Sequence, residues 1–275
     1  QNPITQKNIN FLKEMGMEVI EPEEGYLACG YVGKGRFPEP EDIVERLEVM
    51  LGAEGDLKGN KILITAGPTR EPIDPVRFIT NHSSGKMGYA LAKQAVLRGA
   101  QVILVSGHTN LKPPKGLYKF ISIDTAKEMY EAVMRHFEWS HIVIKSAAVA
   151  DFSPKDYNAE KIKKQGFSMG IALKRNPDIL EELGAKKQDK ILVGFAAETQ
   201  DGEKNALDKL RRKNLDFIVL NNVTAKDAGF RTDTNIVKIL YKEGRVEELP
   251  KMLKVDLADE ILDRIQMYVP QSRAN

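Results

Sequence analysis

The sequence predicts an α/β fold: an open, doubly wound, mostly parallel sheet with an antiparallel hairpin at its carboxyl end. Three observations carry the prediction. From Lys61 onward, short aliphatic and β-branched runs alternate with stretches of helical periodicity, the pattern of strands joined by helical crossovers. The first run, Lys61-Ile62-Leu63-Ile64-Thr65, is apolar on both faces and stops at Ala66-Gly67-Pro68, as expected of a strand covered by helices on both sides. Near the carboxyl end the period changes. There Asn235-Ile236-Val237-Lys238-Ile239-Leu240-Tyr241 leads through Lys242-Glu243-Gly244-Arg245 into Val246, which reads as a hairpin.

Taken in order, residues 1–51 do not open a domain. Asn2-Pro3 starts a helix with Ile9, Leu12, Met15 and Met17 as its apolar positions. The short Glu18-Val19-Ile20 is the only strand candidate, and residues 25–36 read as a loop with four glycines and Cys29. A second helix, residues 40–51, carries Ile43, Val44, Leu47 and Val49. Such a piece buries little, so it reads as the tail of another domain. Residues 52–60, with Gly52-Ala53-Glu54-Gly55-Asp56, form the linker, and residues 61–275 form the main domain. Further strands are expected at residues 101–105, 119–123, 141–144, 191–195 and 217–220. Thr125-Ala126-Lys127-Glu128 is a capping box, behind which Met129, Ala132, Val133, His136 and Phe137 share a helix face. His136 is expected as a half-buried helix residue rather than a ligand. Residues 202–213 read as a charged helix, and Asp256 as the cap of a last helix with Leu257, Ile261, Leu262 and Ile265 inward. The sheet so implied is Rossmann-like.

The 275 residues can bury a sizeable core, and 42% apolar with 29% charged residues describes a globular chain. A net charge of +2 does not announce a nucleic-acid binder. One cysteine excludes an internal disulfide framework and a cysteine-rich zinc site. No apolar run reaches the ~18 residues that span a bilayer. The expectation is a soluble, cytoplasmic protein with no membrane or nucleic-acid partner.

The chemistry is expected between the first strand and the helix that Gly99 ends. There lie Thr69, Arg70, Asp74, Arg77, Asn81, His82, Ser83, Ser84, Gly85, Lys86 and Gly88, at a sheet edge where backbone N–H groups and a positive helix end hold anions. A Walker A loop is excluded, because Thr80 stands where its first glycine would be and Met87 follows Lys86. A dinucleotide fingerprint fails as well, since only Gly67 follows the strand and Pro68 comes next. The bland reading is a long surface loop, although loops of this length in a compact domain are uncommon and often functional. A second half of the site is Lys145-Ser146-Ala147-Ala148-Val149-Ala150-Asp151, whose small residues at a strand end admit a ring or a phosphate close to the backbone. Lys161-Ile162-Lys163-Lys164 then reads either as a lid over an anion or as a solvated face. Lys209 and Lys213, four apart, share a helix face in a second basic patch. Tyr157 and Lys161 also match Tyr-x-x-x-Lys, with Ser146 upstream, so an NADP oxidoreductase like the short-chain dehydrogenases is the alternative; a non-catalytic interaction module is a third.

Together these motifs resemble one family, the CTP-dependent phosphopantothenate-cysteine ligase half of the bifunctional bacterial coenzyme A biosynthesis protein. The resemblance runs from Lys61 to about Ile265. It is carried by Ile64-Thr65-Ala66-Gly67-Pro68-Thr69, Asn81-His82-Ser83-Ser84-Gly85-Lys86-Met87-Gly88, Ala147-Ala148-Val149-Ala150-Asp151, Lys161-Ile162-Lys163-Lys164, Asn176-Pro177-Asp178-Ile179 and Gly194-Phe195-Ala196-Ala197-Glu198-Thr199. Residues 1–51 resemble the end of the partner half, the flavin-dependent phosphopantothenoylcysteine decarboxylase. Cys29 stands in what is similar to its substrate-covering loop, with Phe37 where Met is usual. The resemblance implies that phosphopantothenate attacks CTP to give an acyl-cytidylate, from which the amine of cysteine displaces CMP. It implies Lys161 at the phosphates in the first step and Asn81 at the acyl-cytidylate in the second. It further implies CTP contacts from Lys145, Ser146, Ala147, Asp151, Lys161, Pro177, Asp178, Ile179, Leu180, Phe195, Lys209 and Lys213, and a substrate contact from Arg77. Phe195 could instead be core, and Asp151 a helix cap. Mg²⁺ is implied with unassigned ligands, as is a homodimer with Arg77 and Asn81 near the partner; FMN is not expected to bind, and the rest of the decarboxylase half is the expected missing partner.

Overall fold

The computed structural model describes residues 2–163, 170–198, 201–222 and 232–270. Lys164 and Thr199, both in motifs above, lie outside them. The chain divides into two units, Gln1–Met50 and Leu51–Asn275.

In the first unit, α1 (Pro3–Glu14) begins at Asn2, whose side-chain oxygen accepts from the Ile4 N–H at 2.9 Å. Met15 and Met17 fall beyond its end, and Glu18-Val19-Ile20 is not a strand. The expected loop is instead a hairpin of β1 (Glu23–Tyr26) and β2 (Val32–Arg36), turned at Gly30 with φ +85°. Its strands were illegible because Gly25, Gly33 and Gly35 replace the side chains by which a strand is recognised. Most of α2 (Pro40–Gly52) also belongs to this unit. Neither of its helices buries a residue.

The second unit holds the buried apolar core, from Leu57 to Ile265. Its axis is β3 (Lys61–Ala66), in which every residue from Ile62 to Ala66 is buried. The connection that follows is not structureless. It folds back as a small antiparallel pair, β4 (Arg70–Pro72) and β5 (Phe78–Thr80), before α3 (Lys86–Leu97) begins. Gly99, at φ +86°, ends that helix as expected. Then come β6 (Gln101–Ser106), β7 (Lys119–Ser122), α4 (Ala126–Phe137) and β8 (Ile142–Lys145). The capping box on α4 is formed on both sides, Thr125 to the Glu128 N–H and Glu128 to the Thr125 N–H. His136 bonds the Ala132 carbonyl on its own helix at 2.9 Å. A second short pair, β9 (Phe152–Pro154) with β10 (Leu173–Arg175), precedes α5 (Ile179–Ala185), β11 (Ile191–Glu198), α6 (Gly202–Arg212) and β12 (Phe217–Asn222). The hairpin β13 (Thr234–Tyr241) and β14 (Val246–Leu253) runs straight into α7 (Lys254–Gln266). For that reason Asp256 is not the cap. Leu253 occupies the cap position and Asp256 lies in the first turn, while Leu257, Ile261, Leu262 and Ile265 are all buried.

Eight strands form one sheet in the order β14-β13-β12-β11-β8-β3-β6-β7, parallel from β12 to β7 and antiparallel at β13 and β14. Leu63, Ile103, Val143, Leu192 and Ile218 face a cluster with Met129, Val133 and Phe137 of α4, Leu183 of α5 and Leu210 of α6. The residues of opposite parity, among them Ile62, Ile64, Val102 and Ile144, are equally buried on the side of α3 and α7.

Candidate active site

Chain order reverses at β3. The chain moves outward to β6 and β7, then returns to place β8 on the other side of β3. A sheet with such a reversal has a crevice between the two loops that leave its carboxyl edge in opposite directions. Here those loops are stitched together. The Ala148 N–H donates to the Gly67 carbonyl at 3.0 Å and the Thr69 N–H to the Ala148 carbonyl at 3.3 Å. Thr69 Oγ1 accepts from the Ala150 N–H at 3.0 Å. Close approach of backbone explains two glycines: a Cβ at Gly88 would sit 2.6 Å from that of Ala66, and one at Gly85, with φ +77°, 2.6 Å from Thr109 Cγ2. The amino end of α3 is thereby pressed against the end of β3.

The crevice encloses about 510 Å³. Residues 81–88 form one wall, residues 146–149 with Asp151 another, and residues 195–197 of β11 a third. Asn81 donates through Nδ2 to the Val149 carbonyl at 3.1 Å, tying the first wall to the second. A smaller cavity of about 120 Å³ adjoins it, sharing Ala147, Val149, Asp151, Phe195 and Lys209. Its charge is concentrated. Lys213 pairs with Asp178 at 2.7 Å, and Lys209 donates to the Phe195 carbonyl at 2.9 Å. Lys145 is buried at the end of β8. Burial, with Lys209 and Lys213 adding, takes its ammonium down to about 7 against the opposing pull of Asp178 and Asp151. Burial pushes the Asp178 carboxyl up, but the Lys213 ammonium and the Glu181 N–H outweigh it and leave it below the usual range.

The structure gathers Lys145, Ala147, Asp151, Pro177, Asp178, Ile179, Leu180, Phe195, Lys209 and Lys213 around the smaller cavity, and Asn81 and Ser146 onto the larger one. Phe195 is half-buried and lines both, and Asp151 precedes β9 rather than a helix. Lys161, Arg77 and Tyr157 line neither, and Cys29 is exposed in the first unit. Four lining residues escaped the sequence reading: Arg175 on the smaller cavity, and Asn221, Asn235 and Lys254 on the larger. Lys254 is only 6% exposed and donates to the Thr232 carbonyl at 2.6 Å; burial, then the charge of Lys86, takes it down to about 8 while Asp233 opposes. No local signal marked it: with Asp256 read as the cap, Lys254 lay ahead of the helix, and only the structure puts it in the first turn. Lys86 pairs with Asp233 at 2.6 Å. Among the described residues no three His, Cys, Asp or Glu converge to hold a metal ion, and no helix is long and apolar enough to cross a membrane.

Comparison with known proteins gives these features relatives. The chain is 56% identical over 273 residues to the coenzyme A biosynthesis bifunctional protein CoaBC of Bacillus subtilis (strain 168), covering 98% of this chain and 67% of that one. It is 44% identical over 273 residues to a cysteine/cysteine sulfinic acid decarboxylase from an unknown prokaryotic organism, covering 98% and 76%. The crystal structure of the C-terminal domain of a CoaBC protein superposes with a TM-score of 0.67 at 47% identity, over 78% of this chain and 97% of that one. Residues 1–51 match the flavoprotein family model, and residues 57–268, which hold the whole crevice, match that of the DNA/pantothenate metabolism flavoprotein C-terminal domain. It is to this last family that the chain belongs.

Proposed function

We propose that residues 61–275 join phosphopantothenate to cysteine through an acyl-cytidylate formed from CTP, in coenzyme A biosynthesis. The observation that carries the reading is the convergence, at one reversal of the sheet, of a lysine-rich cavity with the wall that holds Asn81. A nucleotide in the smaller cavity meets Lys145, Lys209 and Lys213. Its α-phosphate then turns toward the larger crevice, which takes the pantothenate arm. In the first step the pantothenate carboxylate attacks the α-phosphorus and the P–O bond to pyrophosphate breaks; Lys161 offsets charge on the phosphates. In the second the cysteine amine attacks the acyl carbon, CMP departs, and the Asn81 amide donates to the oxygen that gains charge. Mg²⁺, bound to the nucleotide phosphates, would share their charge with the lysines.

Residues 1–51 are the end of a decarboxylase half; the expected linker, residues 52–60, puts Leu57 and Asn60 into the interior of the second unit. With only residues 1–51 matching the flavoprotein family, this chain should not decarboxylate phosphopantothenoylcysteine; release of CO₂ with FMN supplied would overturn that. The full protein works in the cytoplasm as a homodimer. Purified chain given phosphopantothenate, cysteine, CTP and Mg²⁺ should form the amide and release pyrophosphate. In a melting screen CTP should stabilise it more than ATP, GTP, UTP or NADP⁺. Stabilisation by NADP⁺ alone would support the oxidoreductase reading, and no amide formation would sink the ligase.

A further inference from the structure

Lys161 has charge to supply but lies on no cavity wall, and the way its segment is held suggests why. Every residue from 155 to 161 is exposed and Ile162 is half-buried, so no apolar anchor fixes this stretch. Hydrogen bonds to the turn between β4 and β5 take that role. The Asn158 N–H donates to the Ile73 carbonyl at 3.1 Å, the Ile162 N–H to Asp74 Oδ2 at 3.1 Å, and Arg77 Nη2 to the Ile162 carbonyl at 2.7 Å. Asp74 is the hub. Its side chain is fully buried; Oδ1 accepts from the Val76 and Arg77 N–H groups, both at 2.8 Å, and Oδ2 also accepts from Arg77 Nε at 2.9 Å. Burial pushes its carboxyl up, but these hydrogen bonds prevail and hold it ionised well below the usual range. Closing the turn needs only Oδ1. Oδ2 reaches 88 residues along the chain.

We propose that Asp74 is a positioning residue for ligation: with Arg77 it clamps the backbone at Ile162 and so sets where the Lys161 ammonium stands. This rests on the reading above, in which Lys161 acts in the first step. In Asp74→Asn the amide keeps the Oδ1 contacts but cannot accept from Ile162. Ile162→Pro removes the same donor from the other side. In the full chain, hydrogen exchange across residues 158–163 should speed up about tenfold in Asp74→Asn. Single-turnover acyl-cytidylate formation should fall on the order of tenfold in both variants, with the KM for CTP unchanged. The double variant Asp74→Asn/Lys161→Gln should be no slower than Lys161→Gln alone, within about twofold. Unchanged exchange, or additive losses in the double variant, would overturn the role of Asp74. A wild-type chain that makes no acyl-cytidylate while Asp74→Asn still loosens the segment would instead overturn the ligase reading.

Discussion

At the scale of single residues, Lys145 is the group whose charge the fold has made conditional. Its ammonium, lowered to about 7 chiefly by burial, is partly neutral at physiological pH, and a phosphate placed beside it favours the charged form. Nucleotide binding should therefore take up a proton near pH 7 and weaken as pH rises above that value. Calorimetry in two buffers of different ionisation enthalpy reads the uptake directly, and Lys145→Met should reduce it. The same group fixes a sign for stability. Its folded value lies below the ordinary 10.5, so the unfolded chain binds the extra proton between about 7 and 10.5; the penalty is full below that window and is relieved as pH rises through it.

At the scale of elements, the amino end of α3 depends on Gly88, where the helix rests on β3 without a side chain between them. Gly88→Ala places a Cβ 2.6 Å from the Ala66 Cβ and 3.2 Å from the Thr65 carbonyl oxygen, neither of which can swing aside. The first turn must lift. Urea unfolding should show a loss of about 1–3 kcal/mol, and nucleotide binding should weaken with it. This strand, turn and helix were legible in the sequence because their signals are local: an apolar run, a glycine turn, a small-residue face. The capping box at Thr125 was legible for the same reason. What stayed hidden was set by partners distant in sequence. The glycine strands of β1 and β2 carry no pattern of their own, β4 and β5 are three residues each, and Asp256 lost its cap to a strand that continues into its helix. Asn235 and Lys254 reach the crevice only because the carboxyl-terminal hairpin is laid beside β12, which no local pattern announces.

At the scale of the molecule, the buried apolar core lies entirely in the second unit, and Arg98 braces it by pairing with Asp56 and with Asp263 at 2.8 Å. A chain beginning at Leu51 should therefore melt within about 2 °C of the full one and keep its ligase activity; calorimetry and the pyrophosphate assay check both. The strand order has a further consequence, for the time before the molecule is complete. Beside β3, the partner β6 is made early but β8 arrives only with residues 142–145, and the crevice lacks Asn235 and Lys254 until the last helix has begun. A nascent chain emerging from the ribosome can pair its first strands well before it owns a finished binding site. The smaller cavity is complete once Lys213 is made, whereas a ligand filling the larger crevice finds its last wall only after Lys254, so chains cut short between the two should keep the first site and lose the protection against proteolysis that the second gives.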